Sequence, residues 1–187
     1  MSPAPNWRPA QVPRPFSRGG IERLLFADAT LSARLAAPPG PWRLLALLVA
    51  HSGDSPLWLV GALAALRWGY PPWPSLGSRT LVATLTGGLI AALLKWLFRR
   101  SRPGEPSASL YSRLDRHAFP SGHATRAACV TVVLAPLLPG WGAGLLAIWA
   151  GLVSLARVAL QVHYLLDVIV GLAVGGGIGL VLLIVAF

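Results

Sequence analysis

Cysteine and acidic residues are scarce in this sequence of 187 residues. Its one cysteine, Cys129, excludes an intrachain disulfide and a metal cluster built from cysteines. Six residues are acidic and sixteen are basic, which gives a formal net charge of +10. Charged residues amount to only 12% of the chain, against 55% hydrophobic residues, a balance far from that of soluble domains. The composition therefore predicts an integral membrane protein.

The excess of positive charge predicts anionic partners. Anionic membrane lipids and a phosphate-bearing lipid substrate both fit a basic membrane protein. Nucleic acid is not expected, because the basic residues are not interleaved with aromatic residues on a soluble face. Nothing in the sequence indicates an oligomeric state.

Apolar segments of about 20 residues, the length that crosses a bilayer, fill most of the chain. We expect a flexible basic arm over residues 1–19 and one membrane-embedded domain over residues 20–187. Residues 20–37 mix leucines with charged residues, which is typical of an amphipathic helix lying on the membrane. The predicted fold is all-α, a polytopic transmembrane helical bundle of about five spans plus this N-terminal helix. The spans are predicted over residues 42–68, 79–98, 121–139, 141–159 and 164–187.

The first and last predicted spans are irregular in composition. Polar residues from position 51 to 55 interrupt the first span, and backbone irregularity at that depth must be buried in protein. His51 and Asp54 either support or line a substrate site, or belong to a kinked helix whose polar groups bond neighbouring helices, and the kink is favoured. In the last span, glycines predict a face that another helix can approach closely. These glycines are Gly171, Gly175, Gly176, Gly177 and Gly179.

Three separated segments, residues 95–103, 120–123 and 157–167, place ionisable side chains at the ends of predicted spans. Because consecutive spans form hairpins, all three segments should reach one face of the membrane. Arginine forks and a lysine favour a phosphate there, and the free backbone N–H groups of a helix that starts at residue 121 do the same. The residues predicted to bind the phosphoryl group are Lys95, Arg102, Ser121, Gly122 and Arg157.

His163, Asp167 and His123 are the predicted catalytic residues. His163 and Asp167 stand at positions i and i+4, so a helix or a turn can bring them together. A carboxylate on one imidazole nitrogen makes the other a better nucleophile, and His123 would act as general acid and then as general base. Two histidines and an aspartate could also bind zinc or iron. The surrounding cations would repel a divalent ion, however, so no metal is expected.

These segments resemble the signature of the type 2 phosphatidic acid phosphatase family, which includes membrane lipid phosphatases, soluble acid phosphatases and vanadium haloperoxidases. KxxxxxxRP at residues 95–103 and PSGH at residues 120–123 match its first two parts in full. RxxxxxHxxxD at residues 157–167 matches the third, except that Ala156 replaces the usual serine before the arginine. The resemblance covers residues 95–167, and the flanking helices match only in general character.

The resemblance implies a helical bundle in which His163 is phosphorylated during turnover, Asp167 orients it, and His123 serves as acid and base. The implied reaction removes a terminal phosphate from a lipid phosphate monoester or diphosphate, without a metal or other cofactor. Candidate substrates are phosphatidic acid, phosphatidylglycerol phosphate, a polyprenyl phosphate or diphosphate, and a lipid-linked sugar phosphate. Ala156 removes a hydroxyl that could contact the phosphate. Two other classes stay open, a haloperoxidase-like oxidoreductase and a non-catalytic membrane transporter or scaffold.

The distribution of arginines predicts which side of the cell membrane the site faces. Six arginines lie within the first 43 residues, which the predicted topology places on the same side as the site. The opposite side carries only Arg67 and Arg79. The positive-inside rule therefore predicts a multi-pass protein of the inner membrane with its active site on the cytoplasmic face. Loop residues that could read the headgroup are Glu105, Tyr111, Arg113, Arg116 and His117.

Overall fold

The structure is a computed structural model that describes residues 19–103 and 117–187. The predicted basic arm, apart from Gly19, and the predicted loop residues Glu105, Tyr111, Arg113 and Arg116 lie outside the described residues. All regular secondary structure within these two stretches is helical, which confirms the all-α prediction. The helices are α1 (Gly20–Arg34), α2 (Pro41–His51), α3 (Ser55–Trp68), α4 (Trp73–Phe98), α5 (Gly122–Leu134), α6 (Gly140–Ala159) and α7 (Leu165–Val185), with a short 3-10 helix (Ala135–Leu137) after α5.

Three of these helices, α4, α6 and α7, are long and apolar enough to cross a membrane. Helices α2 and α3 pass the same test only together, and they are bent by 44° at the break between them. They form either a broken span or a re-entrant loop. Helix α5, the third predicted span, has 13 residues and is shorter than the roughly 20 that a crossing needs. The described residues therefore form a multi-pass bundle, with three spans or four if the bent pair counts as one.

Helix α5 lies inside the bundle, in contact with α4, α6 and α7. Helix α7 can approach it closely because a row of glycines faces it. A Cβ atom on Gly171 or Gly179 would lie within 2.8 Å of atoms in α5 or its N-cap, and one on Gly175 would overlap the α5 backbone. The predicted glycine face is therefore confirmed at these three positions. At Gly176 and Gly177 a Cβ atom would meet nothing within 4 Å among the described residues, so no helix there approaches these two positions.

Helix α1 packs a polar side against the start of α7. Its buried residues are Asp28 and Ser32. The N–H of Leu165 donates to Ser32 Oγ at 2.8 Å, and the N–H of Leu166 donates to Asp28 Oδ1 at 2.9 Å. These first N–H groups of α7 have no partner inside their own helix, so α1 satisfies them. The apolar residues left exposed, as expected for a helix that faces a membrane, are Ile21, Leu24, Leu25, Leu31 and Leu35.

The break between α2 and α3 is held by hydrogen bonds to the indole groups of two tryptophans. Trp58 Nε1 donates to the Ser52 carbonyl oxygen at 2.8 Å, and Trp149 Nε1 donates to Ser52 Oγ at 3.0 Å. The two indole rings lie 4.7 Å apart between centroids. The polar groups at Ser52 are thus bonded within the bundle, as the kinked-helix interpretation predicts. The same break carries Asp54 to the N-terminus of α3.

Candidate active site

The three predicted segments meet where α5 and α7 begin and where α4 and α6 end. A Cβ atom on Gly122 would lie 3.9 Å from Lys95 Nζ, so the first segment reaches the second. The Ser121 N–H donates to the Asp167 carbonyl oxygen at 2.9 Å, so the second segment reaches the third. The structure therefore gathers at one end of the bundle residues that lie far apart in the sequence.

Between Arg157 and His163 the chain leaves α6 and makes a turn that bonds back to the end of that helix. The Arg157 carbonyl oxygen accepts the N–H groups of Val162 and His163, at 3.2 and 3.3 Å. Gln161 has a φ of 57°, which is uncommon for a residue with a side chain, and its Nε2 donates to the Ser32 carbonyl oxygen at 2.7 Å. Arg157 and His163 are both buried. The turn therefore delivers a guanidinium and an imidazole to the interior.

His163 and Asp167 lie close together and are almost fully buried, with 1% and 0% of each residue exposed. Helix α7 begins at Leu165, so a turn rather than one helix face brings the pair together. His163 Nδ1 lies 3.7 Å from Asp167 Oδ2, within the range of an ion pair but beyond that of a hydrogen bond. The same oxygen accepts the Tyr164 N–H at 2.8 Å. Asp167 Oδ2 thus lies near His163 Nδ1 and also stabilises the turn through its hydrogen bond with the Tyr164 N–H.

Arg100, which the sequence analysis did not single out, binds Asp167 directly. Its Nη1 donates to Asp167 Oδ1 at 2.7 Å, and its Nη2 donates to Asp28 Oδ2 at 2.6 Å. The guanidinium also lies over the Tyr164 ring, 4.2 Å from the centroid. Arg100 therefore connects helix α1 to the carboxylate behind His163. Its neighbours in the sequence include other arginines, so only the fold distinguishes it.

Asp54 binds His123, the predicted acid–base residue. Asp54 Oδ1 lies 2.7 Å from His123 Nε2, and its Oδ2 lies 2.8 Å from His51 Nδ1. Gly53 permits this approach, because a Cβ atom there would lie 3.4 Å from His123 Cδ2 and 2.7 Å from Val153 Cγ1. His51 and Asp54 therefore lie at the kink, and Asp54 also contacts His123 directly.

Arg126 is a further cation of the site that the sequence analysis did not identify. It follows Gly122 by one turn of α5, and its Nη1 lies 3.3 Å from the position of a Cβ atom on Gly122. Gly87 of α4 packs beside it, since a Cβ atom there would lie 3.6 Å from Arg126 Cα, at ordinary van der Waals contact. Arg126 and Arg157 are both close enough to His123 for their charges to act on its ring. The sequence does contain a signal for Arg126, because an ionisable residue within a predicted membrane span is costly and usually functional.

The start of α5 differs in one respect from the prediction. The Ser121 N–H is not free for an anion, because it donates to the carbonyl oxygen of Asp167. The Ser121 hydroxyl is buried, makes no cap bond to α5, and has no hydrogen-bond partner in the described part of the chain. Burial of a hydroxyl without a partner is unfavourable. Ser121 Oγ is therefore a group that a phosphate oxygen could satisfy.

Arg102 and His117 lie near the two ends of the stretch that the structure does not describe. Arg102 is partly buried and follows the end of α4 by four residues. The Ala118 N–H donates to the Arg100 carbonyl oxygen at 2.7 Å, so the chain returns beside its point of departure. Arg102 and His117 are thus within two residues of Arg100 and Ala118, whose backbones are hydrogen-bonded to each other.

Ala156, the departure from the family signature, lies in an apolar contact. It is buried with Ala50 and Leu160 where α2 meets α6. A serine at this position would place a hydroxyl among aliphatic groups, at a cost unless it found a partner. The alanine therefore suits the packing of this chain.

Comparisons with known proteins point to one family. The model of the PAP2 superfamily matches residues 77–187. A decaprenylphosphoryl-5-phosphoribose phosphatase of Mycobacterium tuberculosis is 34% identical over 138 residues, covering 70% of this chain and 73% of that protein. A lipid A 1-phosphatase of Rhizobium johnstonii is 30% identical over 192 residues, covering 88% of this chain and 75% of the relative.

Two crystal structures share the fold. A transmembrane PAP2 type phosphatidylglycerolphosphate phosphatase from Bacillus subtilis superposes with a TM-score of 0.66 at 26% identity, covering 85% of this chain and 84% of the other. Aquifex aeolicus LpxE superposes with a TM-score of 0.65 at 21% identity, covering 82% of this chain and 93% of the other, and at that identity the likeness concerns the fold alone.

Proposed function

Because this chain belongs to the PAP2 superfamily, we propose that it transfers the terminal phosphate of a membrane lipid to water by way of a phosphohistidine. The chain is a membrane phosphatase, and its proposed substrate is a lipid phosphate monoester or diphosphate. No metal or cofactor takes part. The observation that carries the proposal is the presence of two histidine–carboxylate contacts, His163 with Asp167 and His123 with Asp54, beside buried arginines.

In the first proposed half-reaction, His163 Nε2 attacks phosphorus, since Nδ1 of the same ring lies towards Asp167. The P–N bond forms as the bond between phosphorus and the leaving oxygen breaks. His123 gives a proton to that oxygen, so the lipid departs as an alcohol, or as a lipid monophosphate when the substrate is a diphosphate. Asp167 offsets the positive charge that the His163 ring gains.

In the second half-reaction, a water molecule attacks the phosphorus of phosphohistidine. His123, now without its extra proton, takes a proton from that water as the new P–O bond forms. The P–N bond breaks, inorganic phosphate leaves, and His163 returns to its initial state. The same two histidines thus complete the cycle without any further proton-transfer group.

Positive charge around the phosphoryl group is proposed to stabilise the transition state, because phosphoryl transfer depends mainly on positioning and electrostatics. Gly122 supports this role, since without a side chain it leaves space beside Lys95 Nζ and Arg126 Nη1. The Ser121 hydroxyl would add a neutral donor. The proposed phosphate-binding residues are Lys95, Arg102, Ser121, Gly122, Arg126 and Arg157.

The same cations support a metal-free reaction, because they would repel a divalent ion and attract phosphate directly. Among residues 19–103 and 117–187, no three His, Cys, Asp or Glu side chains are grouped as metal ligands. A haloperoxidase-like enzyme or a silent transporter would use the same cationic pocket. Release of phosphate from a lipid separates the phosphatase from both.

A lipid substrate is supported by the names of relatives and by an apolar groove. Two of the relatives are named as phosphatases of decaprenylphosphoryl-5-phosphoribose and of lipid A. A groove of about 440 Å³ lies between α2 and α6, and all its lining residues are apolar. Its lining includes Ala156, the neighbour of Arg157 in the sequence. We propose that the substrate's hydrocarbon chain occupies this groove while its phosphate meets the arginines.

We further propose that the site faces the cytoplasm at the inner membrane. Helix α1 caps α7 at the end of the bundle where the site lies, which supports placing the arginine-rich N-terminal segment on the same side. Cysteines introduced at exposed Gly20 and at exposed Tyr70, in a background without Cys129, test this. An impermeant thiol reagent should label the Tyr70→Cys protein in intact cells and the Gly20→Cys protein only after permeabilisation. The reverse pattern would place the substrate in the outer leaflet.

The phosphohistidine is tested by rapid quench with a lipid phosphate labelled in its terminal phosphate. Wild-type protein should give an acid-labile, base-stable phosphoprotein that disappears in His163→Ala. Chelators should leave turnover unchanged, and vanadate should inhibit it as a mimic of the transition state. Normal turnover without the phosphoprotein, or activity lost in EDTA and restored by one divalent ion, would refute the mechanism. A panel of phosphatidic acid, phosphatidylglycerol phosphate and polyprenyl phosphates identifies the headgroup.

A further inference from the structure

Asp54 stands at the N-cap of α3 but does not cap that helix. An aspartate at this position commonly accepts a hydrogen bond from the second or third N–H of its helix. Here the side chain makes no cap bond. Its two oxygens contact His123 Nε2 at 2.7 Å and His51 Nδ1 at 2.8 Å instead. The stability of α3 therefore does not explain the orientation of this carboxylate.

We propose that Asp54 is a positioning residue that fixes the tautomer and the protonated form of His123. A carboxylate only accepts hydrogen bonds, so His123 Nε2 carries a proton whenever this contact is made. Nδ1 is then the nitrogen that gives a proton to the leaving oxygen and takes one from water. The inference rests on the proposed function, in which His123 is both acid and base.

The charges around His123 explain why such a partner is needed. Burial disfavours the charged form of the His123 ring, and the charges of Arg157 and Arg126 further oppose the second proton that a general acid must carry. If the two arginines bind phosphate, their positive charges must remain beside His123. Asp54 supplies the opposite charge at hydrogen-bonding distance, and a charge-assisted hydrogen bond is stronger than a neutral one. The carboxylate thereby offsets part of the effect that burial and the two arginines have on His123.

Asp54 can reach His123 because the break between α2 and α3 lies beside the start of α5. Ser52, in the break, accepts hydrogen bonds from the indole groups of Trp58 in α3 and Trp149 in α6, which restrains the residues between α2 and α3. His51 restrains the second oxygen of Asp54 and is far more exposed than His123, with 67% of its side chain exposed against 3%. Water can replace His51 on this oxygen, so its loss should matter less than that of Asp54.

The test compares Asp54→Asn with wild type, using the full-length protein in detergent and phosphatidic acid as the lipid phosphate. Asparagine keeps the shape and one acceptor but removes the charge. We expect kcat to fall about 10- to 100-fold, by analogy with the loss when the partner behind a metal-binding histidine is changed. KM should stay within about threefold of wild type. Rapid quench should show that phosphoprotein formation and breakdown are both slowed. Asp54→Glu should recover part of the loss, and Ser55→Ala should behave as wild type.

A double variant separates positioning of His123 from a general structural role. In the His123→Ala background, Asp54→Asn should change the remaining rate by less than about twofold, because residues that act as a unit are not additive. Equal losses in both backgrounds, a change confined to KM, or a normal kcat in Asp54→Asn would overturn the inference. Should Asp54→Asn not be recovered folded, Asp54→Glu in the same two backgrounds gives the same decision. Absence of phosphoprotein in wild type would instead contradict the proposed function.

Discussion

His163 and His123 each face a carboxylate, but the two carboxylates are built into the fold in different ways. Asp167 is fully buried in the first turn of α7, and Arg100 links it to helix α1. Asp54 lies in a helix break, with 36% of its side chain exposed. One carboxylate is therefore enclosed by the protein, whereas the other reaches towards the surface.

The difference matches what the two histidines have to do under the proposed mechanism. The nucleophile must keep one orientation through both half-reactions, which a carboxylate with several hydrogen bonds enforces. The acid–base residue must gain and lose a proton in every cycle, which suits a partner close to water. Changes beside His163 should therefore alter the nucleophile of the first half-reaction and the leaving group of the second, while changes beside His123 should alter proton transfer in both.

The largest effect is expected when the histidines themselves are removed. His163→Ala should lower phosphate release by about 10⁴-fold or more, because no nucleophile remains. His123→Ala should lower it by about 10²- to 10⁴-fold, because general acid–base assistance is lost while the nucleophile stays. Rapid quench with labelled lipid phosphate should detect phosphoprotein in His123→Ala and none in His163→Ala. Detection of phosphoprotein in His163→Ala would contradict the assignment of His163 as nucleophile and His123 as acid–base residue.

Arg100→Ala should have the next largest effect, since it leaves Asp167 buried without the cation that binds it. We expect kcat to fall about 10- to 100-fold, as for other partners that orient a functional group. The side chain of the neighbouring Arg99 is exposed, donates to the Trp96 carbonyl oxygen and lies over the Trp96 ring, so Arg99→Ala is the matched control. Steady-state assays of both purified variants test this. Equal activity in the two variants would contradict a role for Arg100 at the site.

A double-mutant cycle should show that the contacts behind His163 and the contact between Asp54 and His123 contribute independently to activity. Asp28 bonds Arg100, so Asp28→Asn and Arg100→Ala should be non-additive in kcat/KM, by about 0.5–3 kcal/mol. Asp28→Asn and Asp54→Asn should be additive within about 0.5 kcal/mol, because the two carboxylates have no partner in common among residues 19–103 and 117–187. Strong coupling between Asp28 and Asp54 would mean that both histidine sites respond as one unit.

The smallest effect on activity is expected at Gly175, in the contact between α7 and α5. Gly175 lets α7, which carries Asp167, pack against α5, which carries His123. Gly175→Ala should lower stability by about 1–3 kcal/mol, because its methyl group would overlap the α5 backbone. Gly176→Ala, whose methyl group meets nothing within 4 Å, is the control. Thermal unfolding in detergent measures both, and equal midpoints would contradict the close packing of α5 and α7.

Much of the fold and the class of chemistry could be predicted from the sequence, because the relevant signals are local. Long apolar runs indicated α4, α6 and α7, since crossing a bilayer requires about 20 such residues. His163 and Asp167 are four positions apart, so a single turn was enough to relate them. Helix α5 was harder to bound, because a helix buried on all sides by protein needs neither the length nor the flanks of a membrane span.

The partners of the predicted residues were decided only by the tertiary structure. Asp54 is 69 positions from His123, and Arg100 is 67 positions from Asp167. No periodicity or local spacing relates residues so far apart. They meet because the broken span and the close contact of α5 with α7 bring their helices together. Once there, each buried charge needs an opposite charge or a hydrogen bond, since an unpaired charge in a low dielectric is too costly.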